Sequence, residues 1–203
     1  MPVMEALSKL FGNETKVKIM RLFLFNPDHV YDTTDIADRV KAESSKVRRE
    51  VAILENIGLV KRRSTNKHKK NGHGFVLDTQ FSYLVPLQNF LINIEPLNSK
   101  EIIRRVSRVG TIKLVVIAGV FIQEPESRAD LLIVGDNVKK ATLEKLIKTL
   151  ESEIGKELDY VVLDSEEFKY RIDMYDKLVC DIIDLPHEKI IDNGQLSTYI
   201  SKK

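Results

Sequence analysis

The residues of this chain best able to do chemistry are cations held close together. Ser44, Ser45, Lys46, Arg48 and Arg49 lie almost side by side, and Lys61, Arg62, Arg63, Lys67, Lys69 and Lys70 follow soon after. Clustered ammonium and guanidinium groups displace counterions from a polyanion, and the hydroxyls add hydrogen bonds to phosphate oxygens. Taken alone, such a charge run is a solvated surface that confers solubility. Two cationic groups in close succession, the first on a helix, instead suit one extended polyanion such as double-stranded DNA.

The elements that must position these cations are legible. Val47, Val51 and Leu54 recur at helical spacing, joined by Ile53 and Ile57, and form an apolar stripe. Ser45, Arg48, Arg49 and Ala52 then fall on the opposite face. Ser44 or Ser45 supplies a helix cap, and Gly58 closes the helix. Two strand-like pieces, 59–64 and 74–78, flank a basic connection whose Asn71-Gly72 is a turn signal. Upstream, Val17, Ile19, Met20, Leu22, Phe23 and Leu24 make an apolar helix after Asn13-Glu14 that ends near Asn26-Pro27. His29-Val30-Tyr31 is a short extended piece. Thr33 or Thr34 caps a helix through Val40, and Lys41-Ala42-Glu43 turns into the Ser44 helix.

The run "VYDTTDIADRVKAESSKVRREVAILENIGLVKRR", within a segment from about Glu14 to Leu77, resembles the ArsR/MarR-like winged helix-turn-helix regulators. The resemblance implies that the third helix enters the major groove and that the hairpin is a wing along the backbone or minor groove. By position, Ser44, Ser45, Lys46, Arg48 and Arg49 would face DNA. Lys61, Arg62, Arg63, Lys67, Lys69 and Lys70 would form the wing.

Totals set the bounds. At 203 residues the chain has room for two small domains or one larger one, and no run reaches the ~20 apolar residues of a spanning helix. The first residues lack the basic-then-apolar pattern of a secretory leader. Cys180 is the single cysteine, which excludes an internal disulfide and suits a reducing cytoplasm. Net charge is only +2, so a DNA partner rests on local patches rather than on bulk charge. His29, His68, His73 and His187 are scattered without ligand spacing, so neither metal nor cofactor is expected. Cys180, beside Val179 and near Ile182, reads as a core thiol.

From Phe81 to Ile94 the chain is apolar enough for a helix, with Pro86 in its first turns or kinking it. That helix is either a dimer contact or a packing element, and Leu91 lies in the contact if it is the former. Glu95-Pro96-Leu97-Asn98 breaks the pattern, and Ser99 can cap a helix through Val106. Beyond it, Ile112–Val120, "ADLLIVGD" and "LDYVVLD" read as strands, with a long helix over Asn137–Lys156 before the third. Ser165 caps a final helix, "EEFKYRIDMYDKLVCDII". Such alternation indicates an α/β layer.

This order, over about Ile112 to Asn193, resembles the minimal nucleotidyltransferase domain of the polymerase-beta superfamily. The resemblance implies a Gly-Ser ending the first strand, Asp-x-Asp opening the second, and a third carboxylate on the strand after the long helix. Two divalent metals on those carboxylates would hold a triphosphate. Here Gly119 keeps the glycine, Val120 replaces Ser, Arg128 replaces the first Asp, and Asp130 and Asp159 match the others. Arginine at a ligand position repels metal, and valine has no hydroxyl for a phosphate. Arg128 would be left to pair with a small anionic ligand or a nucleotide. The plainer alternative for Asp130 and Asp159 is that they are surface residues at strand edges.

The expected fold is an α+β N-terminal winged helix (1–80), a helical linker or dimerisation segment (81–110), and an α/β nucleotidyltransferase-like domain (111–203). The expected function is a cytoplasmic transcriptional regulator that binds double-stranded DNA as a homodimer, with a catalytically inactive second domain and no membrane partner. Two rivals stand beside it: an active nucleotidyltransferase targeted by its winged helix, and an antitoxin-like interaction module.

Overall fold

The structure, a computed structural model, describes residues 3–64, 73–92, 99–194 and 196. The chain divides into two units, one comprising Met1–Pro96 with Lys148–Glu157 and the other Leu97–Ile147 with Leu158–Lys203. As a whole it is mixed α+β. None of the described helices is long and apolar enough to cross a membrane.

Unit one is built on α2 (Glu14–Phe25), which follows α1 (Val3–Phe11). Asn13 caps α2 by accepting the Lys16 N–H at 2.8 Å. Val17, Ile19, Met20, Leu22, Phe23 and Leu24 occupy so many consecutive positions that α2 has no polar side, and all are buried. Around it lie α3 (Thr33–Val40) and α4 (Ser44–Asn56), then β1 (Val60–Ser64), β2 (His73–Leu77) and α5 (Leu84–Leu91). Ile36 and Val40 of α3, Val47, Val51 and Leu54 of α4, and Leu59 and Leu77 complete this core.

One polar residue of α2 is also fully buried. Arg21 donates from Nε to the Leu91 carbonyl at 3.0 Å and from Nη1 to the Glu153 carbonyl at 2.9 Å. Burial lowers its pKa to about 10, opposed in part by the charge of Glu153.

The local signals differ from expectation at the caps. Asp32 caps α3, accepting the N–H of Thr34 and of Asp35 at 2.7 and 2.8 Å while Asp35 reaches back to its backbone; Thr33 and Thr34 lie inside the helix. Glu43 precedes α4 with no side-chain cap bond, so neither Ser44 nor Ser45 caps it. Gly58, at φ +82°, follows the helix end and takes the left-handed conformation that glycine adopts without steric cost. Ile53 and Ile57 are exposed rather than part of the buried stripe. The β1–β2 pair is antiparallel, from Val60 opposite Leu77 to Ser64 opposite His73. Tyr31 and Phe75 exchange both backbone hydrogen bonds, at 2.9 and 2.7 Å, which fastens the short extended piece to β2.

Unit two starts with α6 (Ser99–Val106) and β3 (Thr111–Ile117), then a single 3-10 turn at Gly119–Phe121 and β4 (Leu131–Asp136). Helix α7 (Lys140–Ile154) follows, its residues from Lys148 counting with unit one. Next come β5 (Tyr160–Leu163), α8 (Ser165–Asp173), α9 (Lys177–Asp184) and β6 (Glu188–Asp192). The sheet runs β5-β4-β3-β6. Only β4 and β5 are parallel; β3 is antiparallel to β4 and to β6, so the sheet is mixed rather than an alternating parallel layer. Leu114, Val116, Leu132 and Val134 join Leu163, Phe168, Ile172 and Val179 in one core. Val115, Leu131 and Ile133 are equally buried at the alternate positions, as strands covered on both faces require.

The final helix is two helices. The chain breaks at Tyr175, which has φ +54°, and Asp176 caps α9 by accepting the Val179 N–H. Asp164, not Ser165, caps α8 through the Glu167 N–H at 2.7 Å. Strand β6 answers to no signal read from the sequence.

Candidate functional site

The outer face of α4 follows from its inner one. Val47, Val51 and Leu54 are buried to about 1% exposure or less, which turns Ser44, Ser45, Lys46, Arg48, Arg49 and Ala52 outward. With no side-chain bond from Glu43, the first-turn N–H groups lack a capping acceptor, and the helix dipole adds partial positive charge there. Glu50 faces inward at 2% exposure, with Lys16 Nζ 3.4 Å and Arg49 Nε 3.3 Å from its carboxylate. Arg49 is thereby tethered through the Nε of its guanidinium while its side chain stays exposed. Lys46 lies 3.6 Å from Glu43 in a solvent-exposed pair, worth little against a phosphate competitor. Arg48 has no ion-pair partner among the described residues.

The hairpin carries its cations differently. Lys61 Nζ pairs with Asp78 at 2.9 Å. Arg62 reaches Glu55 of α4 through two bonds, at 2.7 and 3.3 Å, and its guanidinium lies 5.9 Å over the Phe75 ring. The Arg62–Glu55 fork places the first hairpin strand beside the last turns of α4. Two of the expected wing cations are therefore already engaged by carboxylates, while Arg63 has no ion-pair partner among the described residues. Lys67, Lys69 and Lys70, with His68, lie outside the described residues.

Helix α5 occupies only the middle of the apolar run expected at Phe81–Ile94. Leu84, Leu87 and Leu91 turn inward, and Leu91 is fully buried. Leu91 therefore belongs to the core and not to an outward contact. Tyr83, Val85 and Phe90 are the exposed members, and Phe90 packs edge-on against Phe11 at 6.0 Å between ring centroids.

In unit two the chain brings Gly119, Val120, Asp130 and Asp159 together. Asp130 is 3% exposed and accepts the Val120 N–H on Oδ1 at 2.7 Å and the Asp159 N–H on Oδ2 at 3.0 Å. Its own N–H and C=O bind Asp159 and Ala118, at 2.6 and 2.9 Å. Gly119 sits at φ +52°, and a Cβ there would overlap the Asp130 carboxylate. Asp130 is thus a buried tie between the turn after β3 and the start of β5, not the surface residue of the plainer alternative. The Asp159 side chain is exposed. Arg128 is exposed and its Nε meets Asp181 at 3.2 Å, so the guanidinium already has an anion within the chain. Among the described residues no group of three or more His, Cys, Asp or Glu is placed to hold a metal ion.

Of the remaining candidates, Cys180 is buried and His29 packs its ring 4.3 Å from that of Tyr31. His187 lies at the surface, Nδ1 2.9 Å from the Leu185 carbonyl. Comparison with known proteins gives no family model, no curated protein and no solved structure that matches this chain.

Proposed function

We propose that this protein is a DNA-binding transcriptional regulator of the cytoplasm. In this proposal α2, α3, α4 and the β1–β2 hairpin are a winged helix-turn-helix. Helix α4 enters the major groove, with Arg48 and Arg49 toward guanine edges and Ser44, Ser45 and Lys46 toward phosphates. Arg63 and the lysines Lys67, Lys69 and Lys70 follow the sugar-phosphate backbone. The single observation that carries the proposal is the outer face of α4, a run of hydroxyls and cations exposed beside an uncapped helix start. Binding of a labelled duplex, followed as salt is raised, tests it.

Unit two is proposed as a nucleotidyltransferase-like domain without activity. What supports this is the state of Asp130: it is buried and accepts a backbone N–H on each oxygen, so it ties the backbone together instead of lining an open site. A dimer formed through the exposed side of α5 would supply two half-site readers, because a single module buries only ~600–1,000 Å² on DNA. Labelled nucleotide transfer, or capture of a protein partner without duplex binding, would favour the enzyme or the antitoxin-like module instead.

A further inference from the structure

Strand β1 carries Lys61, Arg62 and Arg63 in succession, and the alternation of a strand sends them to different faces of the hairpin. Arg62 shares its face with Val60, and its register partner across the ladder is Phe75. Val60 is buried in the core of unit one, and Phe75 packs against that core. Lys61 and Arg63 stand on the opposite face.

The Arg62 guanidinium is held from two sides. Nε donates to Glu55 Oε1 at 2.7 Å and Nη2 to Glu55 Oε2 at 3.3 Å, so each carboxylate oxygen takes one N–H. Its Cζ also lies 5.9 Å over the Phe75 ring. An ordinary exposed ion pair contributes little energy, but a two-bond fork fixes direction as well as distance. One guanidinium therefore links the last turn of α4, where Glu55 sits, to both strands of the hairpin. Phe75 continues the chain of contacts, since it exchanges both backbone hydrogen bonds with Tyr31.

We propose that Arg62 is a positioning residue, which sets the hairpin against α4 through Glu55 and does not itself contact DNA phosphate. The inference rests on α4 being a DNA-binding face. A phosphate brought to Arg62 would share the guanidinium with the Glu55 carboxylate, like charge beside like charge. Arg63, on the other face, has no such carboxylate among the described residues. Glu55 makes the two roles of Arg62 separable by sign. As a competitor for a phosphate contact, Glu55 weakens DNA binding and its removal strengthens it. As the anchor of a positioned hairpin, its removal weakens binding.

Fluorescence anisotropy of the full chain with a labelled duplex of mixed sequence, over a salt series, compares Glu55→Gln, Arg62→Gln and Arg62→Lys. Arg62→Lys keeps the point charge that a phosphate needs and loses the planar fork. The expected result is binding about two- to fivefold weaker in all three variants, the scale of one exposed ion pair, with the salt slope unchanged. Tighter binding in Glu55→Gln, full affinity in Arg62→Lys, or a slope reduced by about 0.9 in Arg62→Gln makes Arg62 a phosphate contact and overturns the proposal. Circular dichroism of the same variants should match the unsubstituted chain; binding lost together with helical signal marks a general folding defect and also overturns it. If the unsubstituted chain binds no duplex, the DNA reading itself falls and takes this role with it, whereas the variant outcomes above remove the role of Arg62 alone.

Discussion

The backbone N–H of Val120 donates to the Asp130 carboxylate at 2.7 Å, inside a turn where Gly119 leaves no room for a Cβ. With the Asp159 N–H on its second oxygen, Asp130 serves the backbone. We expect Asp130→Ala to orphan two donors and to cost about 2 kcal/mol or more of stability, read from urea unfolding. We also expect no transfer of label from nucleoside triphosphates with magnesium or manganese in the unsubstituted chain. Transfer that vanishes in Asp130→Ala would make this carboxylate catalytic and overturn the structural role.

Arg21 gives a second stability prediction. Its guanidinium donates to two carbonyls, those of Leu91 and Glu153. Arg21→Ala should destabilise the chain by ~2–5 kcal/mol, because it leaves a cavity and takes a donor from each carbonyl. Lysine cannot reproduce the fork, so Arg21→Lys should recover only part of the loss. Equal stability of Arg21→Ala and the unsubstituted protein would show that these bonds contribute nothing net.

The Lys113–Asp136 pair predicts an acid dependence. Hydrogen bonds from the Lys113 side chain, then from Ser165, lower the Asp136 pKa from 3.8 to about 2. A depressed carboxylate stabilises the fold above its unfolded pKa, and that contribution is lost as pH falls from about 3.8 through about 2. The side chain is 37% exposed, so solvent screening limits the gain to about 1 kcal/mol or less. Asp136→Asn should be the less stable protein at pH 6, and the two unfolding curves should converge near pH 2. A constant gap over that range would remove Asp136 as the titrating group.

The exposed side of α5 yields an assembly prediction. Val85 and Phe90 are 64% and 41% exposed, whereas Leu91 is fully buried. The proposed dimer should dissociate in the double variant Val85→Glu, Phe90→Glu, with the fold intact by circular dichroism. Leu91→Glu should instead unfold unit one, since a carboxylate would enter its core. A light-scattering mass of one chain for the unsubstituted protein at micromolar concentration would contradict the dimer.

Periodicity in the sequence located α2, α4, β3, β4 and α7, because their apolar residues recur at the spacing of a helix or fill a strand outright. At α3 and α8 the cap falls one residue before the threonine or serine that the sequence points to, because the aspartate there, Asp32 or Asp164, bonds first-turn N–H groups at least as well. Arg21 gave a signal that could have been used: a lone cation among Met20, Leu22 and Phe23 on a helix without a polar side has nowhere to be but inside. Its bond to Glu153 was not legible at all, because the two residues lie more than one hundred positions apart. Asp130 was found by motif and misjudged by environment, since only the folded turn reveals that its oxygens face backbone N–H groups. Exposure of Ile53 and Ile57 escaped for a similar reason: apolar residues near a stripe look alike until packing selects some of them.

Fluorescence anisotropy with a labelled duplex reads out whether α4 is a DNA-binding face. Affinity should fall steeply between ~50 and ~200 mM salt, linearly in log-log form, as phosphate contacts release counterions. Arg48→Ala with Arg49→Ala should weaken binding at every salt concentration. If either side chain contacts phosphate, its removal should flatten the slope by about 0.9. If it reads a base, the loss should be ~1–3 kcal/mol on the preferred site alone. No binding by the unsubstituted protein at the lowest salt, or unchanged affinity and slope in the double variant, would contradict the account.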